Sequence, residues 1–195
     1  MLRGARMPIL SSEPNIYPRD LLGAGDFAEQ ADPGGRSWWV FYTRARQEKS
    51  LARDLLTRAI SFYLPLVPRR LLIRGRAVHS YVPLFTGYVF VCGSDEDRVR
   101  ALMTNRVAQV IHVGDPGQLR SDLKNTQLMI ESGTPLTVES RLASGSHVRI
   151  RGGPMMGLEG IVCRRKKSSR LIVWVNMLQQ GVSLEIEDYL LDPID

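Results

Sequence analysis

The chain has 195 residues, 44% hydrophobic and 24% charged, with a formal net charge of +6 and a pI near 9.7. These values exclude a disordered or fibrous chain and allow one ordinary domain or two small ones with buried cores. The longest apolar runs, such as Tyr88–Cys92 and Leu171–Val175, fall far short of the ~18 residues that a membrane span needs.

Residues 1–36 read as a disordered N-terminal extension. Arg3, Arg6, Pro8, Glu13, Pro14 and Pro18 interrupt any secretory apolar segment. A short helix is expected around Leu21–Gln30, and Asp32-Pro33-Gly34-Gly35 breaks the chain before the first strong strand signal, Trp38-Trp39-Val40-Phe41-Tyr42. Leu51, Leu55 and Ala59, with Leu56 and Ile60, recur at helical spacing and predict an amphipathic helix over 45–60. Phe62–Ile73 and Ala77–Leu84 read as two strands around Arg74-Gly75-Arg76, a plausible tight hairpin. Pro65 and Pro68 mark the first of these as an edge or bulged strand.

Tyr88–Cys92 predicts a central strand, Ser94 a helix cap for 95–104, Val107–Val113 a further strand, and Leu123–Ile130 a short helix. The order implies an α+β fold over 37–131, an antiparallel sheet with flanking helices. Residues 132–144, opening on Ser132-Gly133-Thr134-Pro135, read as a flexible linker. From 145 to 195 the pattern is wholly β. His147–Arg151, Gly160–Arg164, Leu171–Asn176 and Val182–Ile186 are short strands between turn clusters, which implies a small five-stranded barrel. Val148 and Ile150 are expected inside it, Arg149 and Arg151 outside, and Gly160 where two backbones approach closely.

Charge is concentrated. Residues 44–76 carry Arg44, Arg46, Lys49, Arg53, Arg58, Arg69, Arg70, Arg74 and Arg76 against only Glu48 and Asp54. Such a surface speeds encounter with acidic partners. No catalytic or metal site is expected, and no cofactor: His79, His112 and His147 are scattered, and Cys92 and Cys163 lie far apart with no CxxC. Both thiols are expected to be reduced, in a cytoplasmic protein. Gly152 and Gly157 are followed by Leu158-Glu159, which excludes a phosphate loop.

Two stretches carry the functional signal: Pro83-Leu84-Phe85-Thr86-Gly87-Tyr88-Val89-Phe90-Val91, and Gly145 to Val162 with its Gly152-Gly153-Pro154 and Gly157-Leu158-Glu159-Gly160. Side chains alternate across a strand, so Tyr88 and Phe90 share one face and Val89 and Val91 the other. The residues alone leave two readings. Either Tyr88 and Phe90 are core, or the valine face packs on the helices and the aromatic face, joined by Tyr42, is exposed for protein docking. Arg164, Arg165, Lys166 and Lys167, with Arg170, likewise form either an RNA-phosphate contact or a solvated hairpin tip.

In order and spacing, these stretches and Trp38-Trp39-Val40 resemble the NusG family of transcription elongation factors, over about residues 36–195. The first resembles the family's phenylalanine-proline-glycine-tyrosine motif, with Thr86 in place of the proline, and the second its C-terminal KOW motif. The resemblance implies a non-enzymatic, cytoplasmic monomer acting in elongation or antitermination. Its N-terminal domain would grip a coiled coil of the clamp of bacterial RNA polymerase, and Tyr42, Phe85, Tyr88 and Phe90 are the positions it implies for that contact. The helix around Arg98–Asn105 matches a second polymerase contact. The SH3-like KOW barrel would take nascent RNA, a ribosomal protein or Rho, through Arg164, Arg165, Lys166 and Lys167 or through the loop holding Met177 and Leu178. In that loop Leu178, Gln179 and Gln180 replace the aromatic and arginine of the general factors, which points to a specialised paralogue. The alternative is an RNA- or ribosome-associated KOW protein.

Overall fold

The computed structural model describes residues 13–23, 35–73, 76–139, 145–165, 168–186 and 191–193, without the side chains of 70–79, 164, 165 and 168. Expectations for Leu21–Gln30 beyond residue 23, for Arg74-Gly75, and for the side chains at 164–167 lie outside that description. Elements run in chain order: β1 (Ile16–Tyr17), β2 (Ser37–Thr43), α1 (Glu48–Thr57), β3 (Ser61–Tyr63), β4 (Leu66–Ile73), β5 (Arg76–Pro83), β6 (Tyr88–Gly93), α2 (Asp95–Leu102), β7 (Val107–His112), α3 (Pro116–Glu131), β8 (Thr137–Glu139), β9 (Ser146–Ile150), β10 (Glu159–Arg165), β11 (Ser168–Val175), the 3-10 turn η1 (Asn176–Leu178), β12 (Gln180–Ile186) and β13 (Leu191–Pro193).

The first unit is an antiparallel sheet of order β1-β3-β6-β2-β7. Its two central strands are buried on both faces, which is why they read as nearly continuous apolar runs. Trp38, Val40, Phe90 and Cys92 join a core with Leu119, Leu123 and Met129 of α3. Trp39, Phe41, Val89 and Val91 join a second core with Leu51, Ala52 and Leu55 of α1 and Ala101 of α2. The N-terminal extension is partly ordered: β1 pairs with β3, and Leu21 and Leu22 are buried. Ser94 caps α2 in a reciprocal capping box with Asp97. Helix α3 is longer than the expected Leu123–Ile130. Asp115 accepts from the Gln118 N–H at 2.8 Å, and Pro116 occupies the first turn.

The C-terminal unit is an antiparallel sheet of order β13-β9-β10-β11-β12-β8. This corrects two expectations. Among the described residues no pairing joins the outer strands β8 and β13, so six strands lie in an open order in place of a closed five-stranded barrel. The supposed linker 132–144 contains β8, whose Val138 pairs with Val182; three residues are too few to show a period. Val148 and Ile150 are buried, and Arg149 and Arg151 exposed, as alternation predicts. A Cβ on Gly160 would stand 2.6 Å from the Ile172 carbonyl oxygen, so glycine is required by close approach of β11. The two units touch: α3 packs on β11 and η1, and one apolar cluster runs through both.

Candidate functional site

The chain from Phe85 to Tyr88 turns tightly into β6, with the Tyr88 N–H donating to the Phe85 carbonyl at 3.2 Å. The third residue of this turn, Gly87, has φ +87°, the conformation that makes glycine the preferred residue there. Thr86 takes the second position, where proline is favoured but not demanded. Two bonds fix the turn against the body. The Gly87 N–H donates to Glu48 Oε1 at 2.7 Å, and the Thr43 N–H donates to the Gly87 carbonyl at 2.7 Å. Glu48 opens α1 and is only 5% exposed. A buried carboxylate is retained there because an amide donor is supplied.

This turn positions an aromatic pair. Tyr42 and Tyr88 stand directly opposite across β2 and β6, with ring centroids 5.2 Å apart and planes tilted by 54°. A Cβ on Gly87 would come within 2.8 Å of the Tyr42 ring, so the glycine also gives that ring its place. Tyr42 is 42% exposed and Tyr88 is half-buried. Behind them Phe85 and Phe90 meet edge-on at 6.3 Å, and both are almost fully buried.

The four aromatics are therefore two layers, and of the two readings left open the core one holds for Phe90, while Tyr42 and Tyr88 stay partly open. Phe90 is core beneath the sheet, and Phe85 is sealed at 1% exposure. The valine face is buried as well, against α1 and α2. Of the four, Tyr42 is exposed and Tyr88 half-buried, and Phe85 and Phe90 lie behind them. Sequence reasoning missed Glu48; its signal was an acid opening a helix in an otherwise basic stretch.

On α2 and the turn after it, Val99, Leu102 and Met103 are exposed. Arg106 pairs with Asp54 at 2.5 Å and donates to Gln47, which ties that turn back to α1.

In the C-terminal unit, Arg164 and Arg165 lie on β10, and Arg165 pairs with Ser168 beside the hairpin tip. Arg170 is not part of that tip. Its guanidinium donates to Ser183 Oγ at 2.8 Å and approaches Glu139 and Glu185, tying β8, β11 and β12 together. Met177 and Leu178 are turned inward: both pack into the shared apolar cluster beside α3, and Leu178 is 9% exposed. The Asn176 N–H donates to Asp122 Oδ2 of α3 at 3.0 Å. Asp122 is 4% exposed, and burial holds its carboxyl above the usual carboxylate range; the bonds from Asn176 and Gln118 oppose that rise, and nearby Asp115 adds to it. This link was also missed. Its trace was an acid within the apolar stripe Leu119, Leu123, Met129.

Among the described residues no group of His, Cys, Asp and Glu is placed to hold a metal ion, and no helix is long and apolar enough to cross a membrane.

No curated protein matches the chain. Among solved structures, a chain from "Crystal Structure of MjSpt4:Spt5 complex conformation B" aligns at 15% identity over 81% of this chain and 97% of its own, with a TM-score of 0.28. Residues 36–127 match the family described as "Transcription termination factor nusG", a span that contains the whole turn and its aromatic layers. Over residues 36–127 the chain is similar to the NusG family.

Proposed function

We propose that this protein is a transcription elongation factor that binds bacterial RNA polymerase through Tyr42 and Tyr88 and engages a second partner or RNA through its C-terminal unit. The observation that carries the reading is the half-open tyrosine pair, held on a rigid sheet by the Glu48–Gly87 bond and backed by Phe85 and Phe90. Pre-ordered aromatics lose little entropy on docking and dominate protein interfaces. The proposed contact is a coiled coil of the polymerase clamp. A ligand that binds one clamp state better than another shifts the population towards it, so the protein acts by binding as a cytoplasmic monomer, without chemistry of its own.

The C-terminal sheet is the proposed site for nascent RNA, a ribosomal protein or Rho. Met177 and Leu178 sit against α3, so a partner that uses them competes with α3 for the same surface. A basic contact at the β10–β11 hairpin carries no such competition. In this reading the protein favours read-through as an antitermination factor. The test is a single-round transcription assay with purified bacterial polymerase on a template with a pause and a terminator. The chain is expected to change pausing or read-through, and the Tyr42→Ala, Tyr88→Ala double variant is expected to lose that effect. An unchanged effect in the folded double variant contradicts the assignment.

A further inference from the structure

Helix α3 and the η1 turn border a cavity of about 240 Å³ where the two units meet. Val113 and Leu119, both buried, and the half-buried Met177 give it a mainly apolar lining. Two carboxylates interrupt that lining. Asp115 is exposed, whereas Asp122 is 4% exposed, so one stands towards solvent and the other in the interior. The volume lies below the ~300–1,000 Å³ of sites for drug-sized ligands and suits a short-chain molecule.

The bonds that these carboxylates accept come from neutral donors. Asp115 Oδ1 takes the Gln118 N–H at 2.8 Å, and Asp122 takes Gln118 Nε2 at 2.7 Å and the Asn176 N–H at 3.0 Å. A carboxylate has about four acceptor sites, so both keep capacity for a further donor. Among the described residues neither is in a salt bridge, in a chain of net charge +6. Asp115 adds to the rise of the Asp122 carboxyl, so the two charges act on one another. Asp122 follows Asp115 by seven positions, about two helical turns, which sets them on one side of α3 about 10 Å apart along its axis. Asp115 itself answers the positive end of the helix dipole there.

Negative charge at two points with hydrocarbon between them defines the ligand. A hard metal ion needs a shell of oxygen ligands, and the apolar wall denies it one. A neutral apolar molecule would leave the carboxylates unpaired, and an anion would be repelled. We propose that the cavity between α3 and η1 binds a short alkanediamine in its doubly charged form, with one ammonium on Asp122, the other on Asp115, and the methylenes against Val113, Leu119 and Met177. Two N–H···O contacts of about 2.8 Å and a four-carbon chain between them bridge that separation. Because η1 supplies one wall, the ligand binds the docked arrangement of α3 and η1 and stabilises it by mass action. The inference does not rest on the polymerase contact, since Tyr42 and Tyr88 lie outside the cavity.

The experiment titrates the full chain with putrescine at fixed ionic strength and neutral pH and follows the backbone amides of Gln118, Asp122 and Asn176 by NMR. Saturable shifts centred on these amides are expected, with a Kd of about 1 mM or tighter. Butanediol is expected not to saturate, and n-butylamine, which has one charge, to bind at least about threefold more weakly. Asp122→Asn, which keeps an acceptor for Asn176, should weaken putrescine at least about tenfold. Asp115→Asn, which keeps a helix cap, should weaken it about threefold. Glu96→Gln, at an exposed acid on α2, should change nothing. If Asp122→Asn does not fold, Asp115→Asn and the n-butylamine comparison carry the test. Absence of saturable shifts in the folded wild type overturns the proposal, as does wild-type affinity in the folded aspartate variants. An equal loss in Glu96→Gln shows diffuse attraction to surface acids and overturns it. Equal affinity for n-butylamine, the side-chain analogue of lysine, makes the cavity a seat for a partner's lysine and overturns the diamine assignment.

Discussion

The carboxylate of Asp122 accepts the backbone N–H of Asn176 at 3.0 Å, fastening helix α3 of the first unit to the η1 turn of the C-terminal sheet. Gln118 Nε2 donates to its other oxygen at 2.7 Å. Burial raises the carboxyl above its ordinary 3.8, so the folded protein holds this proton at a pH where the unfolded chain has released it. Stability from this group is therefore greatest at acid pH and falls as pH rises from 3.8 through the raised value. Asp122→Asn removes the titration and keeps an acceptor for Asn176. Thermal unfolding from acid to neutral pH is expected to show wild type losing ground to Asp122→Asn as pH rises; parallel curves contradict this.

Asp122→Ala is a different change. It leaves the Asn176 N–H without its partner beside α3, at a cost of about 1–3 kcal/mol. Denaturant unfolding is expected to show that loss, with hydrogen exchange at Asn176 accelerated relative to the strands of the first sheet.

Gly87→Ala strains two things at once. The backbone is at φ +87°, and the new methyl meets the Tyr42 ring at 2.8 Å. The expected destabilisation is about 1–3 kcal/mol, with displacement of Tyr42. The Tyr42 ring resonances, followed by NMR, should shift far more than those of residues in the C-terminal sheet.

The aromatic layers should separate stability from docking. Phe90→Ala empties a fully buried site and is expected to cost about 3–5 kcal/mol. Tyr42→Ala removes a ring that is 42% exposed and is expected to cost far less, while weakening polymerase binding. Equal losses of stability contradict the two-layer arrangement.

Ser94→Ala deletes the hydroxyl that caps the Asp97 N–H. The expected cost is about 1 kcal/mol, read as a lower urea midpoint with the slope unchanged.

Much of the first unit was legible in local pattern. The spacing of Leu51 and Leu55 gave α1, the Ser94 cap gave α2, and the β-rich runs at Trp38 and Tyr88 gave the two central strands. Its errors have tertiary causes. Alternation at Tyr88–Val91 says which residues share a face, but not that both faces are covered, which leaves Phe90 open between core and an exposed face. The last helix is expected to begin at Leu123, whereas Pro116 begins α3 behind the Asp115 cap. Strands β8 and β13 are too short to carry a period and exist through their pairing with β12 and β9. The docking of η1 on α3 rests on contacts between residues 122 and 176, a separation that no local signal spans. The aromatic positions of the candidate site came from the family motif; their division into an outer and an inner pair came from packing.

The most direct test of the central claim is equilibrium binding of the full-length chain to purified bacterial RNA polymerase, wild type against the Tyr42→Ala, Tyr88→Ala double variant, with folding of both confirmed by circular dichroism. Saturable wild-type binding, weakened at least about tenfold in the double variant as expected for two interface aromatics, is the predicted result. Undiminished binding by the folded double variant, or no binding by the folded wild type, contradicts it.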